Sequence, residues 1–330
     1  MSHSIVARAP TRLDFGGGWT DVPPYCEREG GAVCSVAIAR YATATASLGE
    51  ELRKVASSRP RDALTEAALA SANISGACAF VSTDYPTGAG LGGSSACGVA
   101  LAGALAALRG EQLEPAELAA RSRETEVNAL GVAGGYQDHY AAAFGGALLL
   151  RFSDCVAVES LTMSRQLGAD LARRGVLLYT GESRLSGSTI AAVSEAYQRS
   201  DSRTCESLAR MKALAVDMAA ALRRGDLDAL GELIGEHWVH QRALHPSITT
   251  PRIDAIVETA ARAGALGVKA LGASGGGCVL AFARDDREEE LARALAPLGE
   301  RLHYAVDESG FQVLAVLDEQ HESREPQEPS

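Results

Sequence analysis

The chain has 330 residues, 46% of them hydrophobic, with 31 basic residues against 42 acidic ones and a formal net charge of −11. That length exceeds one ordinary core and predicts two domains, while the hydrophobic share is that of a water-soluble globular protein. The acidic balance disfavours nucleic acid or an anionic membrane surface as partner, since either would need a basic face, so an anionic ligand has to be held by local features.

From the N-terminus, Met-Ser-His-Ser-Ile lacks the basic patch and apolar run of a signal peptide. Strand-like runs follow at residues 5–8, 32–38 and 41–46, then a helix at 62–73 and a strand at 78–81. A glycine-rich stretch at 86–96 opens a helix at 95–108, whose uninterrupted run of small and apolar residues, 13 long from Ala96, is too short to span a bilayer. Helices at 115–130, with proline in the first turn, and at 138–144 precede a strand at 147–150. Beyond Gly175 come a strand at 176–179, three long helices across 188–241 and a helix at 251–265. Strands on either side of another glycine loop, a helix at 287–296 and two closing strands complete the order. The polar, proline-bearing residues 319–330 are expected to be disordered. Seven cysteines, with no C-x-x-C pair, read as buried thiols of a reducing, cytoplasmic compartment.

Pro86-Thr-Gly-Ala-Gly-Leu-Gly-Gly-Ser-Ser-Ala96 carries the strongest signal. Gly88, Gly90, Gly92 and Gly93 permit left-handed backbone angles and close approach to a ligand, Ser94 and Ser95 can cap the helix, and the helix start attracts an anion. A polyphosphate fits best. The dinucleotide fingerprint is formally met by Gly88, Gly90 and Gly93, but no second strand ending in an acidic residue follows. A P-loop is excluded because none of Lys54, Lys212 and Lys269 follows a glycine. Ser274, in Gly272-Ala-Ser-Gly-Gly276, formally matches a hydrolase nucleophile elbow, yet a strand-like run follows it where that motif needs a helix.

The Pro-x-x-x-Gly-Leu-Gly-x-Ser-Ser-Ala pattern resembles the phosphate loop of the GHMP kinases. Two further segments are similar to that family's motifs, and in its order: Arg8-Ala-Pro-Thr-Arg-Leu-Asp-Phe-Gly-Gly-Gly-Trp-Thr-Asp21-Val-Pro-Pro-Tyr25, and Leu271-Gly-Ala-Ser-Gly-Gly-Gly-Cys278. The resemblance implies a two-domain α+β fold, with an N-terminal domain like ribosomal protein S5 domain 2 (residues 1–172) and a ferredoxin-like C-terminal domain (residues 173–318). It also implies ATP as phosphate donor with Mg2+, and an active site between the domains. The protein is expected as a monomer or homodimer.

Residue by residue, the resemblance places Pro86, Gly88, Gly90, Leu91, Gly92, Gly93, Ser94, Ser95 and Ala96 on the nucleotide phosphates, joined by Gly275 and Gly276. Ser95 and Glu126 match the magnesium ligands, with Glu124 as a rival carboxylate; one hydroxyl, one carboxylate and phosphates form a usual magnesium set. Asp138 aligns with the aspartate near the accepting hydroxyl and Arg12 with the arginine that pairs with it; read alone, Asp138 is an ordinary helix N-cap. An aspartate paired with arginine is a weak base, so orientation and charge matter alongside proton abstraction. Gly18, Trp19, Thr20, Asp21 and Gly135 match the sugar site, although Trp19 reads equally as a core residue. The loop at 180–188, with Arg184, suits a substrate phosphate or is plain surface. His237, His240 and His245 have no cysteine or carboxylate to complete a zinc set, and their polar helix reads as substrate contact or solvated face.

Gly-Gly-Trp-Thr-Asp-Val-Pro-Pro-Tyr is similar to the branch that includes D-glycero-D-manno-heptose 7-phosphate kinase and the kinase portion of L-fucokinase, which phosphorylate an anomeric hydroxyl. The segment at 137–146 is similar too, with His139 in place of a glutamine. A heptose 7-phosphate giving the 1,7-bisphosphate is the favoured substrate, and an unphosphorylated, fucose-like sugar the alternative. A non-catalytic sugar and ATP sensor of the same fold is the alternative of another class, and retention of Arg12, Asp21, Ser95, Glu126 and Asp138 together argues against it.

Overall fold

A computed structural model of the chain describes residues 3–58, 62–129, 131, 134–182 and 187–318; the expected tail and Arg184 lie outside the described residues. β1 (His3–Gly16), α1 (Tyr25–Glu29) and β2 (Gly31–Ser47) open it. α2 (Glu50–Ser57), α3 (Ala63–Ala72) and β3 (Cys78–Thr83) lead to α4 (Gly93–Leu108). α5 (Pro115–Glu124) runs into a π turn (Thr125–Ala129), followed by α6 (Gln137–Phe144), β4 (Ala147–Phe152), β5 (Val156–Leu161) and α7 (Arg165–Arg174). The second half runs β6 (Gly175–Tyr179), α8 (Gly187–Gln198), α9 (Ser202–Arg224), α10 (Leu227–Ala243), α11 (Pro251–Arg262) and β7 (Gly267–Ala270). β8 (Cys278–Phe282), α12 (Glu288–Leu295), β9 (Glu300–Arg301) and β10 (Gln312–Asp318) close it.

The first sheet runs β10-β1-β2-β4-β5, with β3 also on β2, and the second runs β7-β8-β6-β9. Every strand pair is antiparallel. In the second sheet the first and third strands are central and the second and fourth flank them, the ferredoxin-like order. β10 follows the second sheet in sequence but pairs with β1, so the chain returns to the first sheet before it ends.

Both faces of the first sheet are covered, which explains the unbroken Leu148-Leu149-Leu150 run. Leu148 and Leu150 join α4 residues Val99, Leu101 and Leu105 on one face, while Leu149 joins Leu214, Met218 and Leu222 of α9 on the other. Each such leucine contributes about 1.5–3 kcal/mol on burial. Caps fix the helix starts: Asp62 accepts from Leu64 and Thr65, Asp201 from Thr204 and Asp226 from Ala229.

The structure differs from the sequence expectations at several places. The runs at 32–38 and 41–46 form one strand, because the extra residues Ala39 and Arg40 bulge toward the carbonyls of Ala305 and His303 without ending the pairing with β1. β1 continues to Gly16, and across its register shift at Pro10 and Thr11 the odd positions change sides: Ile5, Ala7 and Ala9 join the α4 cluster, Leu13 and Phe15 the α9 cluster. The even positions Arg12 and Asp14 are thereby separated from the α9 cluster. The helix expected across 115–130 breaks into α5 and the π turn. Asp138 lies in the first turn of α6, whose N-cap is Tyr136, so it is not a cap. Four cysteines are buried as expected, but Cys155 is exposed, and all seven are free thiols.

Candidate active site

The glycine loop between β3 and α4 is built for close approach. Gly88, Gly90 and Gly92 have φ of 69°, 74° and 73°, a left-handed repeat open to glycine. Gly92 is itself the N-cap and no side chain caps the helix, which corrects the expected role of Ser94 and Ser95. The first amides of α4 therefore keep their donors for an anion. Leu91 is a core residue, 1% exposed, that contributes its carbonyl to the Arg12 amide.

The loop rests on the glycine loop between β7 and β8. A Cβ on Gly90 would come within 2.7 Å of the Leu271 carbonyl, and one on Gly277 within 2.8 Å of that of Ala89. The Cys278 amide donates to Ala89 at 2.7 Å. Gly272 and Gly277 make this contact between the loops. The Gly275 amide is committed to the Ile248 carbonyl, and Gly276 packs on Glu182.

Arg12 reaches the loop from β1. Its Nε and Nη2 lie 2.8 and 2.7 Å from Asp138 Oδ1, and its Nη1 donates to the Gly90 carbonyl at 2.7 Å. The guanidinium side chain is 4% exposed and the carboxylate 26%, so the arginine anchors and the aspartate faces outward beside Gly92.

Asp21 lies at the N-terminus of the same helix, α6. The Gln137 amide donates to its Oδ2 at 3.0 Å, and a Cβ on Gly135 would overlap the carboxylate. Burial pushes its carboxyl up to about 6; the Gln137 amide opposes this, and the charges of Asp138 and Asp14 add to it. Because the folded chain holds this proton more tightly, the linked stability is full below the ordinary value of 3.8 and is lost as pH rises to about 6. Asp21→Asn is expected to remove that loss, gaining up to about 3 kcal/mol over the parent chain above pH 6. Urea midpoints of both chains at about pH 4.5 and 7.5 check this, and an unchanged difference between them would contradict it.

Two expected sugar contacts are committed elsewhere. The Thr20 hydroxyl is spent on the backbone of Gly17 and Ala32, fastening the turn. Trp19, at φ 80° and 8% exposed, packs with Tyr25, Tyr197 and Trp238, so its core reading holds.

Glu126, first in sequence inside the π turn after Thr125, faces α4, while Glu124 is exposed. The Ser94 hydroxyl donates to its Oε1 at 2.5 Å, and the Ser95 hydroxyl (3.4 Å) and His139 Nε2 (2.9 Å) to its Oε2. Burial pushes the Glu126 carboxyl up, but the His139 and serine hydrogen bonds outweigh it and hold it below the usual carboxylate range. Among the described residues no cluster of three His, Cys, Asp or Glu could hold a metal alone. Glu126 and Ser95 fit a cation that takes its remaining oxygens from nucleotide phosphates.

Behind the turn at Gly16–Gly18 lies a polar group that sequence reading missed. Lys269, fully buried on β7, sits 3.3 Å from Asp14 Oδ2 and donates to the carbonyls of Asp14 (2.8 Å) and Phe15 (3.2 Å). Burial lowers the Lys269 ammonium below its ordinary value, against the pull of Asp14. His237, expected as a substrate contact or on a solvated face, is fully buried and accepts from the Gly17 amide at 2.9 Å. Burial holds that imidazole well below its usual range, and neighbouring charges on Lys269 and His240 add to the effect. A helix-spaced histidine pattern carries no sign of such a contact across 220 residues.

The N-terminal domain model of the GHMP kinases matches residues 52–146, and the C-terminal model matches residues 218–299. A D-glycero-alpha-D-manno-heptose 7-phosphate kinase of Campylobacter jejuni is 27% identical over 88% of this chain and 93% of its own length. An L-fucokinase/L-fucose-1-P guanylyltransferase of Bacteroides fragilis is 27% identical over 94% of this chain, which spans only 39% of that longer protein. The solved structure of a D-glycero-D-manno-heptose 1-phosphate kinase from Bacteroides thetaiotaomicron superposes with a TM-score of 0.74 at 25% identity, covering 96% of this chain and all of that one.

Proposed function

The chain belongs to the GHMP kinases, a sugar kinase that transfers phosphate to a hydroxyl group, and on that premise we propose that it phosphorylates the anomeric hydroxyl of D-glycero-D-manno-heptose 7-phosphate to give the 1,7-bisphosphate. The observation that carries this reading is the Arg12–Asp138 pair seated on the glycine loop at Gly92, with Asp21 at the start of the same helix. The full-length likeness to the heptose 7-phosphate kinase supports the substrate.

In this reading the amides of residues 92–95 cradle the ATP phosphates and Asp21 accepts hydrogen bonds from sugar hydroxyls. Asp138 receives or orients the anomeric hydroxyl proton, and Arg12 fixes Asp138 and offsets the negative charge that develops there. Glu126 and Ser95 would hold Mg2+, which supplies charge neutralisation on the transferring phosphates. A fucose-like, unphosphorylated sugar is the second reading, favoured by the fucokinase relative that aligns over 94% of this chain. An ADP-release assay comparing kcat/KM for D-glycero-D-manno-heptose 7-phosphate, L-fucose, D-mannose and D-galactose separates the two. The heptose phosphate is expected to rank first, and L-fucose ranking first would transfer the assignment to the second reading.

A further inference from the structure

We propose that His139, locked by Ser122, is a positioning residue that presents the Glu126 carboxylate to the divalent cation; this rests on the reading of Glu126 as a metal ligand. His139 follows Asp138 on α6 and is 1% exposed. Its Nε2 lies 2.9 Å from Glu126 Oε2, and its Nδ1 lies 2.9 Å from the Ser122 hydroxyl. A bare ring nitrogen facing a carboxylate would be repelled, so Nε2 carries a proton and donates it to Glu126. In the neutral ring Nδ1 is then an acceptor, and the Ser122 hydroxyl donates to it. That fixes both the tautomer and the ring plane.

Ser122 itself is held close to α4 by a glycine. A Cβ on Gly98 would come within 2.5 Å of the Ser122 hydroxyl oxygen and drive it off His139. The chain of contacts runs from Gly98 through Ser122 and His139 to one oxygen of Glu126. Among the described residues the other oxygen is held only by the exposed Ser94 hydroxyl, so the buried side of the carboxylate is fixed and its outer side is open to exchange. Hydrogen bonds to a ligating carboxylate fix its orientation, and losing such a partner typically costs 10–100-fold in metal affinity. Because Asp138 and His139 are adjacent on α6, this one helix turn holds both the carboxylate beside Arg12 and the Glu126 carboxylate of the π turn.

The test is Mn2+ binding, followed by loss of the free-ion EPR signal, to the whole protein with a non-hydrolysable ATP analogue, for the parent chain, His139→Leu, His139→Gln and Glu126→Gln. His139→Leu is expected to weaken Mn2+ about 10–100-fold while sugar affinity stays within about twofold. His139→Gln, whose amide can donate in place of Nε2, is expected to recover most of that loss. Ser122→Ala provides a second variant with a smaller loss should His139→Leu fail to fold. If Glu126→Gln weakens Mn2+ and His139→Leu does not, the positioning role is overturned and the ligand reading stands. If Glu126→Gln leaves Mn2+ binding unchanged, the ligand reading fails and takes this inference with it. Equal losses in the leucine and glutamine variants, shared by sugar binding, would mean a purely structural role and overturn the proposal.

Discussion

Replacing Asp138 with asparagine is expected to lower turnover about 100-fold or more while ATP binding is retained. Arg12 directs Nε and Nη2 at the same oxygen, Oδ1, so the second carboxylate oxygen remains for an acceptor hydroxyl. An asparagine can keep its carbonyl oxygen toward Arg12, and its amide then points at the acceptor. That amide can hold the hydroxyl but cannot take its proton or carry the charge that offsets it. In the proposed reading the nucleotide cradle is made of the backbone amides of residues 92–95, so it does not draw on the Asp138 side chain. The expected signature is therefore a fall in kcat with a near-normal ATP affinity by calorimetry. Turnover near that of the parent chain would remove Asp138 from the chemistry.

Lys269→Met is expected to cost about 3–5 kcal/mol of stability, because it leaves the Asp14 carboxylate buried without its counter-ion. Asp14 is 2% exposed and, among the described residues, its Oδ1 has no hydrogen-bond partner. The amine also ties the carbonyls of Asp14 and Phe15, immediately before the three glycines that lead to Trp19 and Asp21. Its loss is expected to loosen the turn at Gly16–Gly18 as well as the contact between β1 and β7. Adding Asp14→Asn removes the stranded charge, so the double variant should recover most of the stability while keeping the looser turn. Urea unfolding of the two single variants and the double one measures the coupling. A cost below about 1 kcal/mol for Lys269→Met would mean that the pair is not ionised in the folded chain.

The parts of the site legible in the sequence are those written in local spacing. Glycines at alternate positions announce left-handed backbone, and Gly88, Gly90 and Gly92 adopt it. Three glycine-bearing segments in a fixed order identified the family, because each carries its own signature. Residues that act through distant partners left no such trace. Lys269 and Asp14 are 255 residues apart, and neither lies in a pattern that distinguishes an ion pair from a solvated charge. Thr20 reads as a hydroxyl beside a sugar motif, yet it fastens a turn to Ala32.

The choice between Glu124 and Glu126 shows why periodicity alone stops short. An α-helical continuation across 115–130 gives no reason to prefer either carboxylate. The π turn at Thr125–Ala129 changes the rotation per residue, and Glu126 meets Ser94, Ser95 and His139 while Glu124 is exposed. The second half of β1 is hard to read for a different reason: its alternation, Arg12-Leu13-Asp14-Phe15, spans only four residues between Pro10 and the three glycines that follow. Pairing with β2 through Gly16 and Cys34 holds it extended all the same.

The most direct measurement is ³¹P NMR of the purified protein with ATP, Mg2+ and each of D-glycero-D-manno-heptose 7-phosphate, L-fucose, D-mannose and D-galactose. The expected spectrum shows conversion of ATP to ADP and a new signal from phosphate on the anomeric carbon, strongest with the heptose phosphate. Phosphate appearing on a different carbon of the sugar, or ATP left intact with every sugar despite bound nucleotide, would contradict it.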